Sequence, residues 1–138
     1  MTTPGVAILL VDDEETVRRF SSRDLQKHGF EVLSAGIGPE AIATADSCDR
    51  SIDLLLTDVM MPGMNGCDLA EVLLARRPSL RILFMSGYAE DVLASNVGLV
   101  PGAAFLGKPF KPKALVTNVR EGLDALPATR SGNSGSIS

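Results

Sequence analysis

The spacing of apolar residues changes period several times along the chain. Val6 to Val11 is a continuous apolar run of strand length, the pattern of a strand covered on both faces. From about Glu14 to His28 the apolar positions Val17, Phe20 and Leu25 recur at helical spacing, with Arg18, Arg19, Arg23 and Lys27 between them. Gly29 then reads as a helix C-cap. Phe30 to Leu33 predicts a second strand, and Gly38-Pro39-Glu40 opens a helix to about Cys48 with proline in its first turn. Ile52 to Thr57 predicts a third strand, closed by Asp58. The turn residues Pro62-Gly63 and Asn65-Gly66 separate it from a helix over Cys67 to Arg77, which carries Leu69, Val72 and Leu73 on one face and stops at Pro78. Arg81 to Met85 predicts a fourth strand, Glu90 to Asn96 a helix of only two turns, and Ala103 to Leu106 a fifth strand. A last helix is predicted from about Lys111 to Leu126, with Leu115, Val119, Leu123 and Leu126 on one stripe.

Five short strands alternating with five helices predict an α/β fold, a doubly wound parallel sheet with helices on both faces. One domain accounts for residues 5–126. Residues 127–138, rich in Ser and Gly, read as a flexible tail or an expression scar.

Composition narrows the function classes. With 138 residues, 45% of them hydrophobic, and a net charge of −4, the chain is not intrinsically disordered. It has no Lys/Arg cluster of the kind that binds nucleic acid directly. No apolar run approaches the roughly 18 residues of a membrane span. Cys48 and Cys67 fit neither a disulfide framework nor a metal motif, which predicts a reducing, cytoplasmic setting.

The chemistry collects at the carboxyl ends of the strands, where sheets of this class bind ligands. Asp12 and Asp13 close the first strand, Asp58 the third, Ser86 the fourth, and Lys108 follows the fifth. Three carboxylates on one rim repel unless a hard cation neutralises them, and all-oxygen ligands suit Mg²⁺. Lys108 offers a point charge to a phosphate oxygen and Ser86 a hydroxyl donor. A carboxylate can itself accept a phosphoryl group. The plainer reading is that Asp12 or Asp13 caps the helix that follows, which leaves the Lys-Pro after the fifth strand unaccounted for.

Other signals carry less. Gly102 to Lys108 has the spacing of a phosphate-binding loop, but Pro109 replaces the required Ser or Thr. Gly36 to Ala41 resembles a dinucleotide fingerprint, yet it lies in the second strand–helix unit and Pro39 lacks an amide proton. His28, the single histidine, suits a helix C-terminus rather than catalysis. Met60, Met61, Met64 and Met85 read as local packing, and the two cysteines as small apolar residues.

The ordered motifs Leu-Leu-Val-Asp12-Asp13-Glu14, Thr-Asp58-Val-Met-Met-Pro62-Gly63, Phe-Met-Ser86-Gly and Phe105-Leu-Gly-Lys108-Pro109-Phe110 resemble the receiver domain of two-component response regulators. The resemblance covers residues 5–126 and implies a flavodoxin-like strand order of 2-1-3-4-5. It implies that Asp58 accepts phosphoryl from phosphohistidine on a histidine kinase or histidine phosphotransfer domain. Asp13, Asp58 and the Met60 backbone carbonyl would hold Mg²⁺, with Asp12 acting mainly through a metal-bound water. Ser86 and Phe105 would be the switch residues, Lys108 the ion-pair partner of the phosphoryl group, and Lys108-Pro109 a cis peptide. A phosphoacceptor of this kind is not itself a turnover enzyme. The wording from Leu83 to Glu90 is similar to receivers at the C-terminus of hybrid sensor histidine kinases. Met60 and Tyr88 depart from the polar or smaller side chains that many receivers place there, which predicts a long-lived phosphorylated form. Two other classes stay open, namely a small Mg²⁺-dependent aspartyl-phosphate phosphotransferase or phosphatase and a degenerate receiver acting as an interaction module.

Overall fold

The apolar runs become five parallel strands in a computed structural model that describes residues 5–48, 51–86 and 104–124. They are β1 (Ala7–Val11), β2 (Glu31–Ala35), β3 (Leu54–Asp58), β4 (Arg81–Ser86) and β5 (Ala104–Gly107), ordered β2-β1-β3-β4-β5. This is the predicted order. Four helices are described: α1 (Glu15–Lys27), α2 (Gly38–Ser47), α3 (Gly66–Arg76) and α4 (Pro112–Asp124). The helix predicted over Glu90 to Asn96, Tyr88 and the segment 127–138 lie outside the described residues.

Side chains alternate across each central strand and so build two cores. Leu9 and Val11 of β1, with Leu55, Ile82 and Phe84, pack under α2 and α3 through Ala41, Ala45, Leu69 and Leu73. Ile8 and Leu10, with Leu54, Leu56, Leu83 and Met85, pack under α1 and α4 through Leu25, Leu115 and Val119. Burial on both faces is why these strands read as unbroken apolar runs.

Local signals set the helix ends. α1 closes with Gly29 at φ +90°, where its N–H donates to the Gln26 carbonyl and that of Phe30 to the Leu25 carbonyl. Leu25 and Phe30 both lie in the core, which completes a Schellman cap. Exposed His28 contacts the Asp24 carbonyl through Nδ1 at 2.9 Å, a place at the helix end rather than in a site. Asn65-Gly66 is not the turn that its composition predicts. Asn65 is the N-cap of α3, and its side chain accepts from the Asp68 N–H at 2.9 Å.

The face of α1 also differs from the prediction. Ser21 and Leu25 are buried, whereas Phe20 is 61% exposed. The helix lays the i, i+4 stripe of Val17, Ser21 and Leu25 on the sheet, and Phe20, about 100° round from Ser21, points away. Cys67 is buried and Cys48 half-buried, both packed in the core beneath α2 and α3. Among the described residues no helix is long and apolar enough to cross a membrane.

Candidate functional site

Parallel register brings the strand ends together. Val11 pairs with Thr57, and Asp58 with Met85, so Asp12 and Asp58 emerge side by side. Ligand oxygens of Asp12, Asp13 and Asp58 all lie within 4.8 Å of one another. Their environments differ sharply. Asp12 is fully buried, Asp58 is 6% exposed and Asp13 is open to solvent.

Asp12 does part of the capping that the plainer reading assigned to it. Its Oδ1 accepts from the Glu14 N–H at 2.8 Å, although the N-cap of α1 is Glu14. Its Oδ2 is buried and receives no hydrogen bond, facing Lys108 Nζ at 3.0 Å as a charge partner. Lys108 Nζ also lies 2.7 Å from Asp58 Oδ1 and 3.4 Å from Glu14 Oε1. Three carboxylates on one rim, two of them buried and facing a single ammonium, leave negative charge in excess and form the all-oxygen donor set that a hard divalent cation takes. The residues present therefore fit Mg²⁺.

The loop after β3 is closed at its base. Val59 donates to the Met85 carbonyl at 3.0 Å, and Gly66 donates to the Val59 carbonyl at 2.8 Å. Gly63 turns the loop at φ +76°, and Met60 projects from it with its side chain 49% exposed. No signal in the hydrophobic pattern marks Gly66. A Cβ there would sit 2.0 Å from the Asp58 carbonyl oxygen, so only glycine lets α3 start against the backbone of Asp58.

Ser86 ends β4, and its carbonyl accepts from the Lys108 N–H at 2.8 Å, which ties the two sides of the rim. The Lys108-Pro109 peptide is cis, as the resemblance implied. Phe105 is not among the carboxylates. It is 42% exposed on β5 and stacks on Phe84 with ring centroids 5.7 Å apart. Exposed Phe20 lies beside the rim, where it borders a groove of about 580 Å³ together with Val17, Asp24, Lys108 and Phe110.

The electrostatics favour a proton on the isolated site. Burial, then Asp12, push the Asp58 carboxyl from 3.8 up to about 8, against the opposing pull of Lys108. Burial works to lower the Lys108 pKa, but the hydrogen bond and charge of Asp58, with Asp12 adding, outweigh it and raise it. A raised carboxyl pKa means that the folded chain holds a proton which the unfolded chain releases between about pH 4 and 8. Asp58 therefore makes the cation-free protein less stable as pH rises through that window. Thermal melts in chelator are expected to show this decline in the wild type and a flatter profile in Asp58→Asn. Equal slopes in the two proteins would refute the assignment.

Residues 8–120 match the response regulator receiver domain family. Over 120 residues, 87% of this chain, the sequence is 39% identical to the sensor kinase CckA of Brucella abortus, of whose length it spans 13%. It is 34% identical to the response regulator receiver protein CpdR of the same organism, over 86% of this chain and 97% of that one. The crystal structure of the receiver domain from the hybrid histidine kinase CckA superposes with a TM-score of 0.72 at 36% identity, covering 86% of this chain and 99% of that domain.

Proposed function

The chain belongs to the response regulator receiver domain family of two-component signalling, and from that membership we propose that Asp58 is its phosphoacceptor, served by Mg²⁺. Receivers of this family are phosphorylated by histidine kinases or phosphotransfer proteins and generally bind Mg²⁺ at an acidic pocket. The observation that carries the reading is the meeting of Asp58 Oδ1, Asp12 Oδ2 and Lys108 Nζ at one buried point.

An Asp58 carboxylate oxygen attacks the phosphorus of a phosphohistidine. The new O–P bond forms as the N–P bond breaks, and the imidazole leaves with the electron pair and takes a proton from solvent. Asp13, Asp58 and the Met60 backbone carbonyl would hold Mg²⁺, with Asp12 contributing mainly through a water, and the ion would supply positive charge that keeps Asp58 ionised and offsets the charge of the phosphoryl group. Lys108 keeps its proton and pairs with the phosphoryl oxygens. Phosphorylation adds about two negative charges to the rim, drawing the Ser86 hydroxyl toward the phosphoryl group and favouring an inward Phe105. The relatives at 39% and 36% identity support a source in a hybrid kinase.

Intact mass after incubation with a small phosphodonor and Mg²⁺ tests the reading. One stable phosphoryl per chain supports it. Continuous turnover of donor would support a phosphotransferase or phosphatase instead, and absence of any adduct an interaction module.

The groove beside Phe20, at the start of α1 and next to the rim, is the docking place we propose for the partner that presents the phosphohistidine. Phe20→Ala should slow transfer from a phosphorylated partner by about tenfold, because it removes an exposed aromatic anchor. Small-donor labelling should be unchanged, and stability should stay within about 0.5 kcal/mol. Equal loss with the small donor would place the effect in the chemistry rather than in docking.

A further inference from the structure

We propose that Arg18 is a positioning residue for the acidic site, holding the peptide between Asp12 and Asp13 so that the exposed Asp13 carboxylate faces the cation. Arg18 stands one turn into α1 and is half-buried. Its Nη1 donates to the Asp12 carbonyl at 2.6 Å. That carbonyl belongs to the peptide joining Asp12 to Asp13, so its direction sets the plane from which Asp13 departs.

The guanidinium lies between the Asp12 carbonyl and the Gly36 turn. On the far side it lies against Gly36, where a Cβ would come within 3.2 Å of Nη1. The Gly36 N–H donates to Glu40 Oε1 at 2.8 Å, so that turn is itself held from α2. The Asp12 N–H donates to the Ala35 carbonyl at 3.2 Å. Asp12 is thus pinned to β2 through its N–H and to α1 through its carbonyl. Neither of its carboxylate oxygens is used in these two contacts; Oδ1 accepts from the Glu14 N–H, and Oδ2 faces the site beside Lys108.

The need for such a brace follows from the differences among the carboxylates. Asp58 is held within a strand and Asp12 by burial. Asp13 is exposed in the short link between β1 and α1. Without a fixed peptide plane, ordering Asp13 around the ion would cost conformational entropy at every binding event.

Charge and position predict opposite signs. Arg18 is a cation beside a cation site, so losing its charge should by itself tighten Mg²⁺ binding. Losing the brace should loosen it, by about tenfold on the scale of residues that orient metal ligands.

The inference rests on the Mg²⁺ reading above, and calorimetric titration of the full chain with Mg²⁺ separates the two. Arg18→Met is expected to raise Kd about tenfold, while labelling by a small phosphodonor at saturating Mg²⁺ returns close to the wild-type rate. Arg19→Met, which removes the same charge from the exposed neighbouring position, is expected to leave Kd unchanged or lower. Arg18→Lys should fall between, about threefold weaker, since an ammonium on a flexible stem can still reach the Asp12 carbonyl but lacks the planar guanidinium that fixes the direction of the bond. An unchanged or lowered Kd in Arg18→Met overturns the inference, as does equal weakening in Arg19→Met. If Arg18→Met does not fold, Arg18→Lys decides alone, with wild-type affinity counting against it. Failure of the wild type to take up Mg²⁺ overturns the site reading and this inference together.

Discussion

Asp58→Asn is expected to take up no phosphoryl group from a small donor with Mg²⁺, where the wild type takes up one. The amide is a far weaker nucleophile than a carboxylate, and neither neighbouring acid can replace it. Asp12 is fully buried, with one oxygen accepting from Glu14 and the other facing Lys108. Asp13 is solvent-exposed, without the close Lys108 contact that Asp58 has at 2.7 Å. The variant should nevertheless fold, and in chelator it should melt above the wild type. Near neutral pH it no longer carries a carboxyl whose ionisation is opposed by burial and by Asp12. Loss of labelling together with higher stability separates a missing acceptor from a damaged fold. A phosphoryl adduct of undiminished yield on Asp58→Asn would remove Asp58 from the role.

Gly66→Ala is expected to be the most destabilising single-methyl change near the site. Its Cβ would stand 2.0 Å from the Asp58 carbonyl oxygen, 3.0 Å from the Asp58 carbonyl carbon and 3.2 Å from Val59 Cα. All three neighbours are backbone, so no side chain can swing aside. Either α3 retreats, losing the Gly66 to Val59 hydrogen bond and the burial of Leu69 and Leu73 against β3 and β4, or the acceptor's own peptide moves. The cost should be about 3 kcal/mol, the upper end of overpacking effects, and the melting temperature should fall by about 10 °C. Labelling of the folded fraction should also slow, since Asp58 is displaced. Gly63→Ala is the control, because nothing lies within 4 Å of the added carbon and only the φ of +76° is strained. About 1 kcal/mol is expected there. Similar melting temperatures for the two variants would mean that α3 can slide without cost.

Much of this architecture is legible in the chain because its signals are local. Val6 to Val11 is apolar without a break, as is Leu54 to Leu56 at the centre of the third strand, because both faces of the central strands are covered. Gly29 and Pro39 mark helix ends through their own backbone restrictions. Right-handed crossovers between parallel strands then deliver Asp12, Asp13, Asp58, Ser86 and Lys108 to one edge. Asn65-Gly66 has the composition of a turn but caps α3, because capping and turn-forming residues share the same chemistry.

The rotation of α1 was not legible in the same way. Val17, Phe20 and Leu25 are all compatible with one apolar stripe, and only docking on β1 and α4 decides that Ser21 goes inward and Phe20 outward. A helix can turn by tens of degrees without changing its periodicity, so the choice belongs to the packing.

The sequence by itself determined the strand order's ingredients, the family and the residues that reach the rim, because periodicity, caps and strand ends are properties of neighbours along the chain. Tertiary structure alone decided that Asp12 is buried while adjacent Asp13 is exposed, that Gly66 rests on the Asp58 backbone, and that Arg18 grips the Asp12 carbonyl. Those outcomes depend on register and helix rotation, which are set by contacts between distant segments at sub-ångström tolerance in a close-packed interior.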